Sequence, residues 1–203
     1  MNWPTSSSAT YKPMNEELKN ALEPLVLALV GLDIPYRIVG SVASSAQGML
    51  RATLDVDLVV QLEHSHILRL VARLGGDYYA DPEGMEEALA RGSSFNLIHL
   101  ESMIKLDLFP LGQRKFDRVS FARVQTFELT EDFVVNFKTP EDVILGKLEW
   151  FEAGERTSER QWRDIVGLLK VQGERLDLEY MRHWASILQL VPLLEQALAE
   201  SGL

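Results

Sequence analysis

The sequence predicts an α+β fold: a small mixed β-sheet flanked by helices, followed by a bundle of helices. Three observations carry this. Short strand-like runs (Tyr36 to Val39, Asp55 to Val60, Ser94 to Leu100 and Met103 to Phe109) are confined to the first two thirds of the chain. Helix-period segments separate them, as a sheet covered by helices requires. From Lys138 onward only helical periods and helix-capping patterns occur. The expected organisation is a polar leader over 1–13, a sheet-bearing region over 14–137 and a helical region over 138–203.

Met14 to Val30 carries Leu18, Leu22, Leu25 and Leu29 at helical spacing, with Pro13 just before it. Gly31 to Pro35 breaks that helix and leads into the run YRIV. His64 to Leu74 is again amphipathic and stops at Gly75-Gly76. His64 and His66 stand two apart, a spacing that diverges on a helix, so they read as a solvated helix start and not as a ligand pair. Asp77 to Ala80 suits a short strand, and Pro82 to about Arg91 a helix. SFNLIHL and MIKLDLF alternate around Glu101-Ser102 and predict a hairpin. Gln113 to Phe127 is the most basic stretch, with Arg114, Lys115, Arg118 and Arg123. A phosphate-contacting rim and a solvated loop and strand both fit it.

Thr139-Pro140-Glu141-Asp142 combines a capping residue, proline at the first position and acids in the first turn, so a helix begins there and runs to Gly154. Ser158-x-x-Gln161 opens a second helix, closed by Gly173. Asp177 caps a third, to Leu188, and Pro192 begins a last one.

Composition narrows the function classes. Apolar residues make up 46% and charged residues 25%, as in an ordinary water-soluble domain. The chain has no cysteine, which excludes disulfides and thiolate metal sites and fits the reducing cytoplasm expected for it. No apolar run is long enough to span a bilayer, and MNWPTSSSATYKP lacks a signal-peptide pattern, so no membrane association is expected. The formal net charge of -10 opposes a surface devoted to nucleic acid; a polynucleotide would need a local basic patch.

The chemistry concentrates between Tyr36 and Val60. Asp55 and Asp57 stand two apart at the head of a strand, so both carboxylates leave the same face. Such a pair repels itself unless a cation lies between, and oxygen-only ligands suit Mg2+ shared with substrate phosphates. Gly40-Ser41 follows the first strand, where glycine lets the backbone turn closely and serine at a helix start can meet a phosphate. Asp107 lies on MIKLDLF, on one face with Lys105 and opposite Ile104, Leu106 and Leu108.

This arrangement resembles the nucleotidyltransferase superfamily that shares a fold with DNA polymerase beta. Its pattern is Gly-Ser, a helix, Asp-x-Asp opening a strand and a third acid on a later strand, matched here by Gly40, Ser41, Asp55, Asp57 and Asp107. The resemblance implies transfer of a nucleoside monophosphate from a nucleoside triphosphate, with pyrophosphate released. Asp55, Asp57 and Asp107 would be metal-binding and catalytic; Gly40, Ser41 and Arg51 would bind the nucleotide. The segment EDVILGKLEWF…ERQWRDIVGLL is similar to the helical part of AbiEii-like nucleotidyltransferase toxins, in which a lysine and an aspartate of successive helices face the nucleotide. Lys147 and Asp164 match them. Where those relatives have Ala-Met-Lys this chain has Leu-Gly-Lys, and Gly146 is a weak residue for mid-helix. A Lys–Asp pair that merely bridges two helices fits the same residues. The resemblance leaves the acceptor open among RNA such as tRNA, protein and a small molecule, and admits a toxin-like role with a protein antitoxin as partner. The alternative is a catalytically silent module of this fold that binds a nucleotide or a partner.

Overall fold

A computed structural model describes residues 16–47, 55–130 and 133–203. The expected leader and Arg51 lie outside the described residues. Seven strands form one mixed sheet: β1 (Tyr36–Val39), β2 (Asp55–Val60), β3 (Tyr78–Tyr79), β4 (Phe95–His99), β5 (Ile104–Pro110), β6 (Gln125–Thr130) and β7 (Phe133–Phe137), in the order β3-β4-β5-β2-β1-β7-β6. β2 runs parallel to β5, and β1 parallel to β7; every other neighbour is antiparallel.

Strand alternation decides the two faces. Val56, Leu58 and Val60 of β2 are fully buried, as are Leu106 and Leu108 of β5. Their side chains share the core face with three helices: α1 (Glu16–Gly31), α3 (His64–Leu74) and α4 (Pro82–Arg91). α1 presents Leu22, Leu25 and Leu29 on a single stripe, and each is completely buried. It ends one residue past the expected end at Val30, and the expected start at Met14 lies outside the described residues. His66 accepts the amide of Glu63 on Nδ1 at 3.1 Å and so helps cap α3, the ordinary use of a polar residue there.

The opposite face of the sheet meets α2 (Gly40–Ala46), which also touches the first of four C-terminal helices. These are α6 (Pro140–Ala153), α7 (Glu159–Gln172), α8 (Leu178–Ile187) and α9 (Val191–Ser201). α6 packs on α7 and α8, and α9 packs on both α7 and α8. A buried polar network ties this bundle to the sheet. Asp142 accepts hydrogen bonds from Tyr180 Oη (2.6 Å), Thr139 Oγ1 (2.9 Å) and Arg123 Nε (3.1 Å). Arg123 also donates to Glu141, whose other oxygen takes the amide of Asp177 at the start of α8.

The basic stretch folds otherwise than a loop and strand. Lys115–Ala122 forms a helix, α5, and Gln125–Thr130 then pairs with Phe133–Phe137 in an antiparallel hairpin. Phe116, Ser120 and Phe121 are the buried face of α5. Two turns of helix give only three inward positions, and the basic residues between them mask the period. No helix among the described residues is long and apolar enough to cross a membrane.

Candidate active site

The site is built where β1 ends. Val39 leaves the strand, and Gly40 turns the chain into α2 with φ +65°, a conformation that favours glycine. A Cβ on Gly40 would also collide with the Asp57 carboxylate. Glycine is therefore needed twice here, for the turn and for the close approach of backbone to Asp57. Ser41 is the second residue of α2. The first amides of a helix have no intrahelical acceptor, and Val39 at the cap position offers no side-chain oxygen to take them.

Register places the acids. Val39 pairs with Asp57 across β1 and β2, and Asp57 pairs with Asp107 across β2 and β5. Asp55 lies opposite Lys105. All three carboxylates therefore leave the α2 face of the sheet, with Asp57 and Asp107 on adjacent strands, roughly 4.8 Å apart in backbone spacing. Lys105 Nζ lies 2.9 Å from Asp107 Oδ2. Burial pushes the Asp57 carboxyl above the ordinary carboxylate range, and the charges of Asp107 and Asp55 push it the same way; Lys147 and Lys105 partly offset this.

A cleft of about 530 Å³ opens over Gly40, Ser41 and Asp57. Its far wall is one face of α6, with Asp142, Val143, Gly146, Lys147, Glu149 and Trp150, and the start of α7, with Ser158, Arg160, Gln161 and Asp164. Lys147 Nζ lies 3.3 Å from Asp164 Oδ2, and both side chains are nearly buried. The wall is thus joined by an ion pair between helices, with its cation near enough to act on Asp57. Of the sequence-derived candidates, Gly40, Ser41, Asp57, Lys147 and Asp164 line the cleft. Asp55 and Asp107 flank Asp57 on the sheet.

Several lining residues escape a sequence reading. Lys138 sits just past β7, and the parallel pairing of β1 with β7 brings its strand end beside Gly40. Burial pushes its ammonium below the ordinary lysine range, against the pull of Asp142, Asp117 and Glu149. Arg114 bridges Asp117 and Glu149 at the rim, with its closest oxygen Glu149 Oε1 at 2.6 Å. The available signal is the i, i+4, i+8 series Asp142, Gly146, Trp150, which marks one helix face but not what it confronts.

Among the described residues no three His, Cys, Asp or Glu side chains gather closely enough to hold a metal ion by themselves. The donor chemistry nonetheless fits Mg2+, which takes one or two protein carboxylates and leaves its other positions to water and substrate phosphates. Burial, and after it the charges of Asp107 and Asp55, make the ionised form of Asp57 costly, and a bound cation would relieve that cost.

No protein-family model and no curated protein matches the sequence. Solved structures do match. An antigenic nucleotidyltransferase-like protein from Paracoccidioides brasiliensis superposes with a TM-score of 0.54 at 22% identity, over 93% of this chain and 94% of its own. The antibiotic-resistance factor ANT(2'')-Ia superposes with a TM-score of 0.52 at 15% identity, over 90% and 97%. The chain therefore has a nucleotidyltransferase-like fold, and it has that fold over nearly its whole length.

Proposed function

We propose that the protein is a magnesium-dependent nucleotidyltransferase that moves a nucleoside monophosphate from a nucleoside triphosphate to an acceptor hydroxyl. The observation that supports this reading most is Asp57. It is a partly buried carboxylate crowded by two others, pressed against a glycine whose turn and close approach disfavour a side chain, and faced across the cleft by Lys147.

In this reading Gly40 and Ser41 receive the β- and γ-phosphates at the start of α2. Lys147, oriented by Asp164, offsets the triphosphate charge. Asp55 and Asp57 would hold Mg2+ together with substrate phosphates and Asp107 would bind a second ion, and the metal would supply charge neutralisation to the phosphates. Asp107 takes the proton of the acceptor hydroxyl. The acceptor oxygen bonds to the α-phosphorus, the bond to the β-phosphate bridging oxygen breaks, and pyrophosphate leaves with that electron pair. The acidic surface favours a small acceptor over a long polynucleotide, in keeping with the antibiotic-resistance factor of like fold. A toxin-like transfer to tRNA, with a protein antitoxin as partner, is the competing assignment within the same chemistry.

Calorimetry with the four ribonucleoside triphosphates, with and without Mg2+, tests the site. Magnesium-dependent binding is expected. Its absence would turn the assignment toward a silent partner-binding module of the same fold. Incubation with an α-labelled triphosphate and cell RNA, cell protein or small-molecule extracts then identifies the acceptor by the fraction that takes up label.

A further inference from the structure

Three tryptophans fall among the described residues, and two are tied into the fold. Trp184 is 4% exposed and packs on Phe116 and Tyr180. Trp162 stacks on Phe151 and donates its Nε1 proton to Glu200 at 2.8 Å. Trp150 is different: it is 66% exposed, and among the described residues its indole has neither a ring partner nor a hydrogen bond. It nevertheless lines the cleft. An indole left in water at a cleft wall serves a ligand better than it serves the fold.

Gly146 stands four residues before Trp150, so the two are neighbours on one helix face. Long helical side chains lean toward the N-terminus, over the preceding turn, which here is the turn bearing Gly146. Glycine is the weakest helix former after proline. Neither backbone angle nor crowding demands it at 146: its φ is not positive, and an added Cβ would meet nothing within 4 Å. What glycine does provide is bare backbone bordering open cleft space, next to a free aromatic ring. Lys147 lies between the two positions in sequence and faces the same cleft.

We propose that Gly146 and Trp150 form a slot for the nucleobase of the triphosphate, with the base lying flat over the Gly146 backbone and against the Trp150 ring. This rests on the triphosphate reading of the same cleft. A phosphate chain held by Gly40, Ser41 and Lys147 leaves its nucleoside the α6 face that carries Gly146 and Trp150 and lines the same cleft. The requirement is a planar π-face with phosphates attached, which a nucleotide meets and inorganic triphosphate does not.

The test compares ATP with inorganic tripolyphosphate, each with Mg2+, by calorimetry on the full chain. The parent should bind ATP more tightly than tripolyphosphate. Trp150→Ala and Gly146→Leu should each weaken ATP by about tenfold, the equivalent of about 1.4 kcal/mol of base stacking, with tripolyphosphate affinity unchanged. Trp150→Phe, which keeps a ring, should retain most of the ATP affinity. Gly146→Leu should melt no lower than the parent, since it removes a helix-weakening residue and fills open space. If the parent binds ATP no better than tripolyphosphate, or if the Trp150→Ala and Gly146→Leu proteins bind ATP as the parent does, the slot is wrong and the phosphate site stands. If the parent binds neither probe, slot and phosphate site fall together.

Discussion

Two aspartates of this molecule share a first influence and differ in the one that follows it. Burial raises the pKa of both Asp57 and Asp142. Around Asp142 the surroundings then answer the charge: Tyr180, Thr139, Arg123 and Lys138 all pull the value back down. Around Asp57 the next influences are Asp107 and Asp55, which raise it further. One carboxylate is satisfied and fastens the helical bundle to the sheet. The other is held in an unfavourable state by the fold itself. A buried charge given donors is a structural element, whereas a buried charge given more charge of its own sign is a candidate for function.

The comparison is broken most directly by exchanging roles. Asp57→Asn should reduce label transfer from a nucleoside triphosphate by about a thousandfold, roughly 4 kcal/mol of lost charge stabilisation. The protein should remain folded. If a thermal melt instead shows that Asp57→Asn unfolds the chain while leaving residual activity proportionate to folded protein, Asp57 belongs with Asp142.

Asp142→Ala should do the reverse. It leaves Arg123 with Glu141 as its remaining carboxylate and strands the Tyr180 hydroxyl, and should cost about 2 kcal/mol of stability, as expected for hydrogen bonds lost around a buried charge. Tyr180→Phe removes one bond to Asp142 and leaves two, so about 1 kcal/mol is expected. Denaturant unfolding of both proteins checks the ranking; equal midpoints would mean that the network contributes nothing.

Lys147 stands between the two cases. It has a structural partner in Asp164 and acts electrostatically on Asp57. Lys147→Ala should fold yet bind ATP about tenfold more weakly, the worth of about 1.4 kcal/mol of charge attraction in a partly buried cleft. Unchanged affinity by calorimetry would reduce the Lys147–Asp164 pair to packing and leave the triphosphate to the sheet side alone.

The contrast also explains what could be read from the sequence. Gly40-Ser41 and Asp55-x-Asp57 were legible because their chemistry is local: a turn, a helix start and two side chains on one strand face. Asp107 was legible through alternation, which fixed its face though not its neighbour. The pairing of Asp57 with Asp107 needs the parallel register of β2 and β5, and no local pattern states a register. Lys138 shows the same limit: its place beside Gly40 depends on β1 pairing with β7, a hairpin strand that the charge-dense stretch before it obscured. Likewise Asp142 reads in sequence as a first-turn acid suited to the helix dipole. That it also receives Tyr180, thirty-eight residues later, is a fact of tertiary structure.

The smallest effect distinguishes the two aspartates by the sign of a pH dependence. A carboxyl whose folded pKa lies above its unfolded value binds more protons in the folded state between those two values. Stability therefore falls as pH rises through that window. Asp57 contributes stability only when protonated, and that contribution is fully present below the unfolded value, about 3.9, and gone above the raised folded one. In Asp57→Asn the position no longer titrates, and the repulsion felt by Asp55 and Asp107 is relieved as well. The variant should then melt higher than the parent at neutral pH, with the gap closing as pH falls toward about 3, where the Asp57 carboxyl is protonated in both states. Titration of the other acids appears in both proteins and largely cancels in the difference. Thermal melts of the pair from neutral pH downward measure it. A gap that widens on acidification would mean that the ionised form of Asp57 is the stabilised one, with donors answering its charge as they do at Asp142.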